Sequence, residues 1–375
     1  MPECKVCHKS DKLFSKNLGV CYKCIIERPS EAISITNQIH KISRKKYGLP
    51  STIPRDPNGL RCGICSNDCK IPLNGLGYCG LVKNENGKIN RLAGTIDKGL
   101  LQWYYDPNPT NCVAAFVCPA GTGCGYPDFA NKQGPEYGYS NLAVFYGACN
   151  FDCLYCQNYQ YRQMPQKLNP IISARELASK INEKVSCICY FGGDPSPQMP
   201  HAIKTAQIAM NKAKENGQIF RVCFETNGGV NWPLMKKAAE LAFNSGGCIK
   251  IDLKCFNENL NIALCGVSNK QTLENFKKLG EMVAKRPKIP FLIGSTLLVP
   301  GYVDVDEVRK IAQFIKDINP NIPYSLLGFS PHYHMNDLPL TSKYHAQRCL
   351  EVAKRGVGLE KVKIGNVHLL SDIKY

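Results

Sequence analysis

Cys149, Cys153 and Cys156 form a C-x3-C-x2-C array inside YGACNFDCLYCQN, residues 146–158. A closed zinc site needs four protein ligands, and so does a fully ligated four-iron cluster. Three thiolates on such a cluster leave one iron open to a substrate or cofactor. The bland alternative is a zinc loop that borrows a fourth ligand, or three buried structural cysteines. The preceding LAVFY, residues 142–146, reads as a buried strand ending at Gly147. The array therefore lies on the loop leaving a strand's C-terminal end, where α/β barrels keep their chemistry.

Two further cysteine groups lie upstream. Cys4, Cys7, Cys21 and Cys24 are two C-x2-C knuckles separated by thirteen residues, the spacing of a zinc ribbon. A segment this short cannot bury a core, so metal would supply its folding energy. It reads as a structural cap or a docking module, with His8 a bystander. Cys62, Cys65, Cys69 and Cys79 form a second closed four-thiolate set, for zinc or an iron–sulfur cluster, with Gly75 and Gly77 shaping the turn before the last ligand. Cys112, Cys118 and Cys124 are spaced by five residues each and match no metal template. They could complete another site or be inert.

The elements that must position these groups emerge from periodicity. Residues 33–47 read as a helical connector, with Ile35, Ile39 and Ile42 on one face and Arg44-Lys45-Lys46 on a solvated one. Pro50, Pro54 and Pro57 mark a linker. Residues 81–92, centred on Asn84-Glu85-Asn86-Gly87, read as a hairpin. Residues 99–140 are the least regular, with Trp103, Tyr104 and Tyr105 packing a crossover against the barrel. From Asn141 onward strands alternate with amphipathic helices: 142–146, 187–191, 219–225, 248–253, 291–299, 324–328 and 362–367. Ser173-x-x-Glu176 and Asp304-x-x-Glu307 mark helix starts. The fold class expected is α/β, a partial (β/α)6-type TIM barrel with small N-terminal Cys-rich metal-binding modules. The expected division is 1–50, a ribbon-like module and connector; 51–100, the four-cysteine module; 101–140, a crossover; and 141–375, the barrel.

The array and the strand ends together resemble the radical S-adenosylmethionine (SAM) enzymes, within them the pyruvate formate-lyase activating enzyme group, and within that the AmmeMemoRadiSam system branch. Gly192-Gly193-Asp194 resembles the glycine motif that binds the SAM amino group. Glu225-Thr226-Asn227 resembles the strand end facing the ribose and carboxylate. Asp252-x-Lys254 resembles the aspartate-x-lysine strand, and Leu297-Leu298-Val299 the strand passing the adenosine. The late segment FSPHYHMNDLPLT, residues 329–341, and the terminal IGNV also fit the branch. Relatives commonly carry an arginine before the fifth strand's run, where this chain has Gly294-Ser295-Thr296. The resemblance covers roughly residues 60–370. It implies a [4Fe–4S] cluster on Cys149, Cys153 and Cys156, and SAM contacts from Tyr155, Asn158, Gly192, Gly193, Asp194, Glu225, Asn227, Asp252, Lys254 and Val299. It further implies an oxidoreductase that cleaves SAM reductively to a 5′-deoxyadenosyl radical, which takes hydrogen from a substrate protein or small molecule. The electron donor would be one such as flavodoxin or ferredoxin. His332, Tyr333, His334 and Asp337 are candidates at the substrate, or parts of a closing loop. Rival readings are activation of a glycyl-radical enzyme, RNA modification, and a non-catalytic iron–sulfur or zinc scaffold.

Charge and composition bound these readings. Two tetrathiolate sites of −2 each would lower the formal charge of +17 to +13, a balance that permits nucleic acid without requiring it. Twenty-one cysteines, with no apolar leader at MPECKVCHKS and no run long enough to span a bilayer, point to a reducing cytoplasm and to metal ligation rather than disulfides.

Overall fold

The computed structural model describes residues 1–375. Its centre is a nine-stranded sheet made of β1 (Gly99–Pro107), β2 (Ser140–Tyr146), β3 (Ile171–Ile172), β4 (Val185–Gly192), β5 (Arg221–Thr226), β6 (Ile249–Asp252), β7 (Leu292–Leu298), β8 (Tyr324–Gly328) and β9 (Val362–Gly365). The spatial order is β9-β8-β7-β6-β5-β4-β2-β1-β3. Seven strands, β2 and β4 to β9, run parallel. They are the seven that the alternating pattern anticipates, each bound shifting by no more than a few residues. Between them lie the helices that parallel connections require. Ser173 caps its helix by accepting from the Glu176 amide, and Asp304 caps Val305–Ile318 through the Asp306 amide. The outward side chains of the strands and the inward faces of the helices form the largest apolar cluster, with Leu142, Val144, Ile188, Val222, Ile251 and Leu326 fully buried.

Strand β1 has no counterpart in the sequence reading. It runs antiparallel to β2 over seven residue pairs and extends the sheet beyond the barrel edge. Trp103 does pack against the core, but Tyr104 and Tyr105 stay largely exposed. The segment between β1 and β2 does not cross over the outside. It enters the barrel and lines its lumen, as Ser325 on β8 shows by donating to the Val113 carbonyl at 2.7 Å.

The N-terminal 100 residues pack on the barrel mouth. Helix α1 (Tyr22–Glu27) carries the ribbon's last cysteine, Cys24, and helix α2 (Pro29–Lys45) lies against Glu258–Cys265. The face of α2 is rotated from the one expected. Ile42 is exposed, whereas Ala32, Thr36, His40, Ser43 and Arg44 are buried. Arg44 is therefore no part of a solvated basic face: it stacks on the Tyr78 ring, 3.4 Å from its centroid, and donates to the Pro50 and Tyr78 carbonyls. The hairpin forms at Val82–Glu85 and Lys88–Arg91. Its turn residues Asn86 and Gly87 both have positive φ, at 52° and 77°, as a two-residue type I′ turn requires.

Candidate active site at the barrel mouth

The loop after β2 is held from several sides at once. Asp152, between the first two cysteines of the array, is fully buried. Its carboxylate accepts from His40 Nδ1 at 2.9 Å, Ser43 Oγ at 3.0 Å and Arg162 at 3.0 Å. Burial disfavours its charge, but the His40 hydrogen bond and the Arg162, His40 and Arg44 charges win and hold it well below the usual carboxylate range. On the other side, Asn67 of the four-cysteine module donates to the Asn150 carbonyl at 2.6 Å, and Asn150 reaches the Gly229 carbonyl at 3.0 Å.

Cys149, Cys153 and Cys156 all line one cavity of about 360 Å³ at the C-terminal ends of the strands. This lies within the range of small-molecule pockets. Burial pushes the Cys149 and Cys156 thiols up, and a hydrogen bond with Cys265, then burial, does the same at Cys153. Ligation must therefore displace protons. Asn227 Nδ2 lies 3.7 Å from Cys149 Sγ.

The other walls carry most of the expected contacts. Tyr155, Asn158, Gly192, Gly193, Asp194, Glu225, Asn227, Asp252 and Lys254 line the same cavity. Gly192 has φ +99°, and a Cβ on Gly193 would lie 2.3 Å from the Ala148 carbonyl oxygen. Only glycine lets the backbone approach a ligand there. Glu225 is pushed up by burial, against the pull of Lys250. Lys254 pairs with Asp252 at 2.9 Å; burial opposes its charge, but Asp252 and Cys153 raise its pKa. Ser295 Oγ donates to Asp252 at 2.7 Å and occupies the neighbourhood in which an arginine was missing.

Val299 is corrected, and for the late segment the structure favours the closing-loop reading. Val299 does not reach the cavity; it is fully buried in the second apolar cluster, and Leu297 faces the cavity instead. Asp194 has both carboxylate oxygens occupied, accepting from the Ser196 amide and Thr226 Oγ1 on one and the Asn227 amide on the other. It shapes the glycine turn while lining the cavity. Tyr333 and His334 pack behind the cluster loop: Tyr333 stacks on Tyr159, its hydroxyl 2.7 Å from Ser43 Oγ, and the His334 amide donates to the Leu154 carbonyl. His332 folds back on the Ser330 carbonyl, and none of the three lines the cavity. Asp337 accepts from Ser15 Oγ at 2.9 Å and the Asn17 amide at 3.2 Å, which fastens the ribbon.

Several cavity residues went unread in the sequence. Arg162 lines the cavity, is almost wholly buried, and leaves Nε and one terminal nitrogen without a protein acceptor. Asn111, Val113, Leu327 and Asn366 line it as well. Asn366 belongs to the terminal IGNV, which marked the place without marking the residue.

The upstream cysteine sets differ in closure. The Cys4, Cys7, Cys21 and Cys24 sulfur atoms lie within 4.8 Å of one another, while His8 points to Glu3. Cys62, Cys65, Cys69 and Cys79 surround a void of about 10 Å³, with Arg91 lying 3.6 Å from Cys62 Sγ and the Tyr78 amide donating to Cys69.

Three thiols facing a cavity, unpartnered guanidinium N–H groups and a glycine turn with no room for a Cβ fit a cluster that keeps one open position beside an anionic ligand. The profile of the radical SAM superfamily matches residues 143–315. A Methanocaldococcus jannaschii protein provisionally named a glycyl-radical enzyme activating enzyme is 31% identical over 186 residues, 48% of this chain and 64% of that one. The match thus spans less than two thirds of that relative. An uncharacterized protein of the same organism is 28% identical over 327 residues, 83% of each chain. The isethionate sulfite-lyase activating enzyme of Desulfovibrio desulfuricans is 30% identical over 156 residues, 41% of this chain and 43% of that one. Among solved structures, a domain of a pyruvate-formate lyase-activating enzyme from Bacteroides vulgatus overlaps with a TM-score of 0.36 at 20% identity, covering 48% of this chain and 98% of that domain.

Proposed function

We propose that the mouth cavity, within the stretch 143–315 that matches the radical SAM superfamily, holds a [4Fe–4S] cluster on Cys149, Cys153 and Cys156 and binds SAM beside it. When bound, the pair supplies one-electron cleavage of the sulfonium and a 5′-deoxyadenosyl radical for hydrogen abstraction. The observation that carries this reading is convergence: the three thiols, the Gly192–Gly193 turn, Glu225, Asn227, Asp252 and Lys254 come from the loop and three further strand ends and line one cavity.

The residues divide the work by their chemistry. The glycine turn admits the ligand's polar end close to the backbone. Arg162 and Lys254 give that end positive charge in a site with little water. Glu225 and Asn227 offer an acceptor and a mixed donor–acceptor suited to ribose hydroxyls. Asp152 and its partners keep the loop in one shape, which limits reorganisation when the electron arrives.

Two of the relatives are named as activating enzymes, one of them for a glycyl-radical enzyme, and this favours one finer reading, a protein backbone glycine as substrate. The test of the main reading is anaerobic. The chain is reconstituted with iron and sulfide, given SAM and a strong reductant, and 5′-deoxyadenosine is quantified by mass spectrometry. Formation that requires all three cysteines is expected. A loaded, reduced protein that leaves SAM intact overturns the reading and leaves a scaffold. A glycine substrate predicts a persistent protein radical on the partner by electron paramagnetic resonance.

A further inference from the structure

The wall of the mouth cavity holds two cations, Arg162 and Lys254. Lys254 is matched by Asp252 at 2.9 Å. Arg162 is matched less completely. It lies on the short 3₁₀ turn Tyr159–Gln163, just after the cysteine array, and is almost wholly buried. One terminal nitrogen donates to Asp152 at 3.0 Å. Asp152 is also the acidic partner of Arg44, 3.9 Å away, and it accepts from His40 and Ser43. Two buried guanidinium groups thus share one carboxylate. Nε and the second terminal nitrogen of Arg162 have no acceptor.

The ordinary explanation is a staple that ties the loop to its surroundings. The contact with Asp152 would serve that purpose, and so would the Tyr161 and Tyr333 rings, whose centroids lie 4.8 and 4.7 Å from the guanidinium carbon. A staple gives no use to the remaining N–H groups, and buried donors without acceptors destabilise a fold. The cysteine array supplies one. Cys156 lines the same cavity. Burial pushes its thiol up, and the Arg162 charge is the strongest pull in the opposite direction. A neutral thiol is a weak acceptor, whereas an ionised group accepts strongly.

We propose that Arg162 is a positioning residue that acts through Cys156: its unpartnered N–H groups hydrogen-bond the Cys156 thiolate, and its charge raises the reduction potential of the cluster. This assignment rests on the cluster reading above. Three thiolates make a four-iron core anionic, and an added electron deepens that charge. A cation held against one of the sulfur atoms therefore favours the reduced form, the more so in a site of low dielectric. Asp152 anchors the guanidinium, and Arg44 on the same carboxylate keeps Asp152 from cancelling its charge in full.

The test is a redox titration of the reconstituted full-length chain without SAM, followed by electron paramagnetic resonance. The signal read is the one absent from Cys149→Ala/Cys153→Ala/Cys156→Ala. Arg162→Gln is expected to lower its midpoint by ~59 mV or more, a tenfold change in the oxidised-to-reduced ratio for one electron. Arg162→Lys keeps a cation for Asp152 and the sulfur, and should recover at least half of that shift. Tyr333→Phe keeps the ring and the charge, and should match the wild type. Should Arg162→Gln not fold, wild type grown on isotopically labelled arginine carries the comparison. Its reduced cluster should show a nitrogen coupling by double resonance that Arg162→Lys loses. Equal midpoints in the wild type and Arg162→Gln overturn the assignment, because a staple alters how much cluster loads and leaves its potential alone. An Arg162→Lys midpoint as low as that of Arg162→Gln overturns it too, as does an equal shift in Tyr333→Phe or a labelled wild type without the coupling. If the wild type lacks the signal altogether, the cluster reading itself fails and takes this assignment with it.

Discussion

The N-terminal ribbon and the loop after β2 both gather cysteines of a kind that can hold a metal, and they are built in opposite ways. In the ribbon, the four sulfur atoms surround one point, and backbone amides of the same short segment reach them, Cys21 N to Cys4 and Cys24 N to Cys21. Everything the site needs is local, and no ligand position is left for a reactant. The loop has three sulfur atoms, each facing a cavity. Much of its support comes from far along the chain, Asn227 beside Cys149 and His40 on Asp152, joined by the nearer Arg162. The same residue type thus serves as a closed staple when four ligands come from one segment. It becomes an open site when the fourth position is ceded to a cavity walled by other elements.

The largest test of this contrast removes the open site. Cys149→Ala/Cys153→Ala/Cys156→Ala should form no 5′-deoxyadenosine above background while retaining the ribbon's metal, as read by elemental analysis. The reciprocal change, Cys4→Ser/Cys7→Ser, should release one metal equivalent and unfold residues 1–27, seen as rapid amide exchange there, because metal supplies most of that segment's folding energy. SAM cleavage should persist. If it vanishes, the ribbon is not a separable staple. Asp152→Asn leaves buried Arg162 and His40 without their counter-charge and should cost about 3–5 kcal/mol, measured by denaturant unfolding, with cluster occupancy falling in parallel.

A smaller effect lies in the wall behind the loop. His201 is neutral and buried, with Nδ1 2.9 Å from the Tyr146 hydroxyl and Nε2 facing the Ile172 carbonyl. Burial pushes it down to about 4 from an ordinary 6.5. Between those values the unfolded chain binds a proton that the folded ring refuses. Stability should therefore be full above pH 6.5, decline towards pH 4 and level off below, with a total of roughly 3 kcal/mol. In His201→Gln this slope should flatten in unfolding curves taken across the range. The smallest effect expected on folding is that of Gly193→Ala, about 1–3 kcal/mol of overpacking against the Ala148 carbonyl. SAM affinity should fall at least tenfold by isothermal titration as the turn is displaced.

The parallel strands were legible because each is a short apolar run between turn signals, and their polar ends fell where a barrel puts them. The wall residues Glu225, Asn227, Asp252 and Lys254 came from the motif resemblance at those strand ends. What stayed hidden depends on pairing across distance. Strand β1 reads as an aromatic stretch of coil until β2 is seen beside it. The buried face of α2 was misread through Ile42, although His40, Ser43 and Arg44 at i, i+3 and i+4 share a side and could have been read as a polar contact surface. Cysteines inside the barrel show the same boundary: Cys187 and Cys189 share a strand face by alternation, but that they border one small void with Cys223 and Cys248 is fixed only by strand order.

Asp152 is gripped by His40 and Ser43, groups separated from it by 112 and 109 positions along the chain. Those partners emerge first during synthesis, and the loop they secure emerges later. Contacts of such high order form late in folding, after the ends have searched for one another. Separating α2 from the barrel would therefore strip Asp152 of both contacts at once and leave Arg162 as its remaining hydrogen-bond partner.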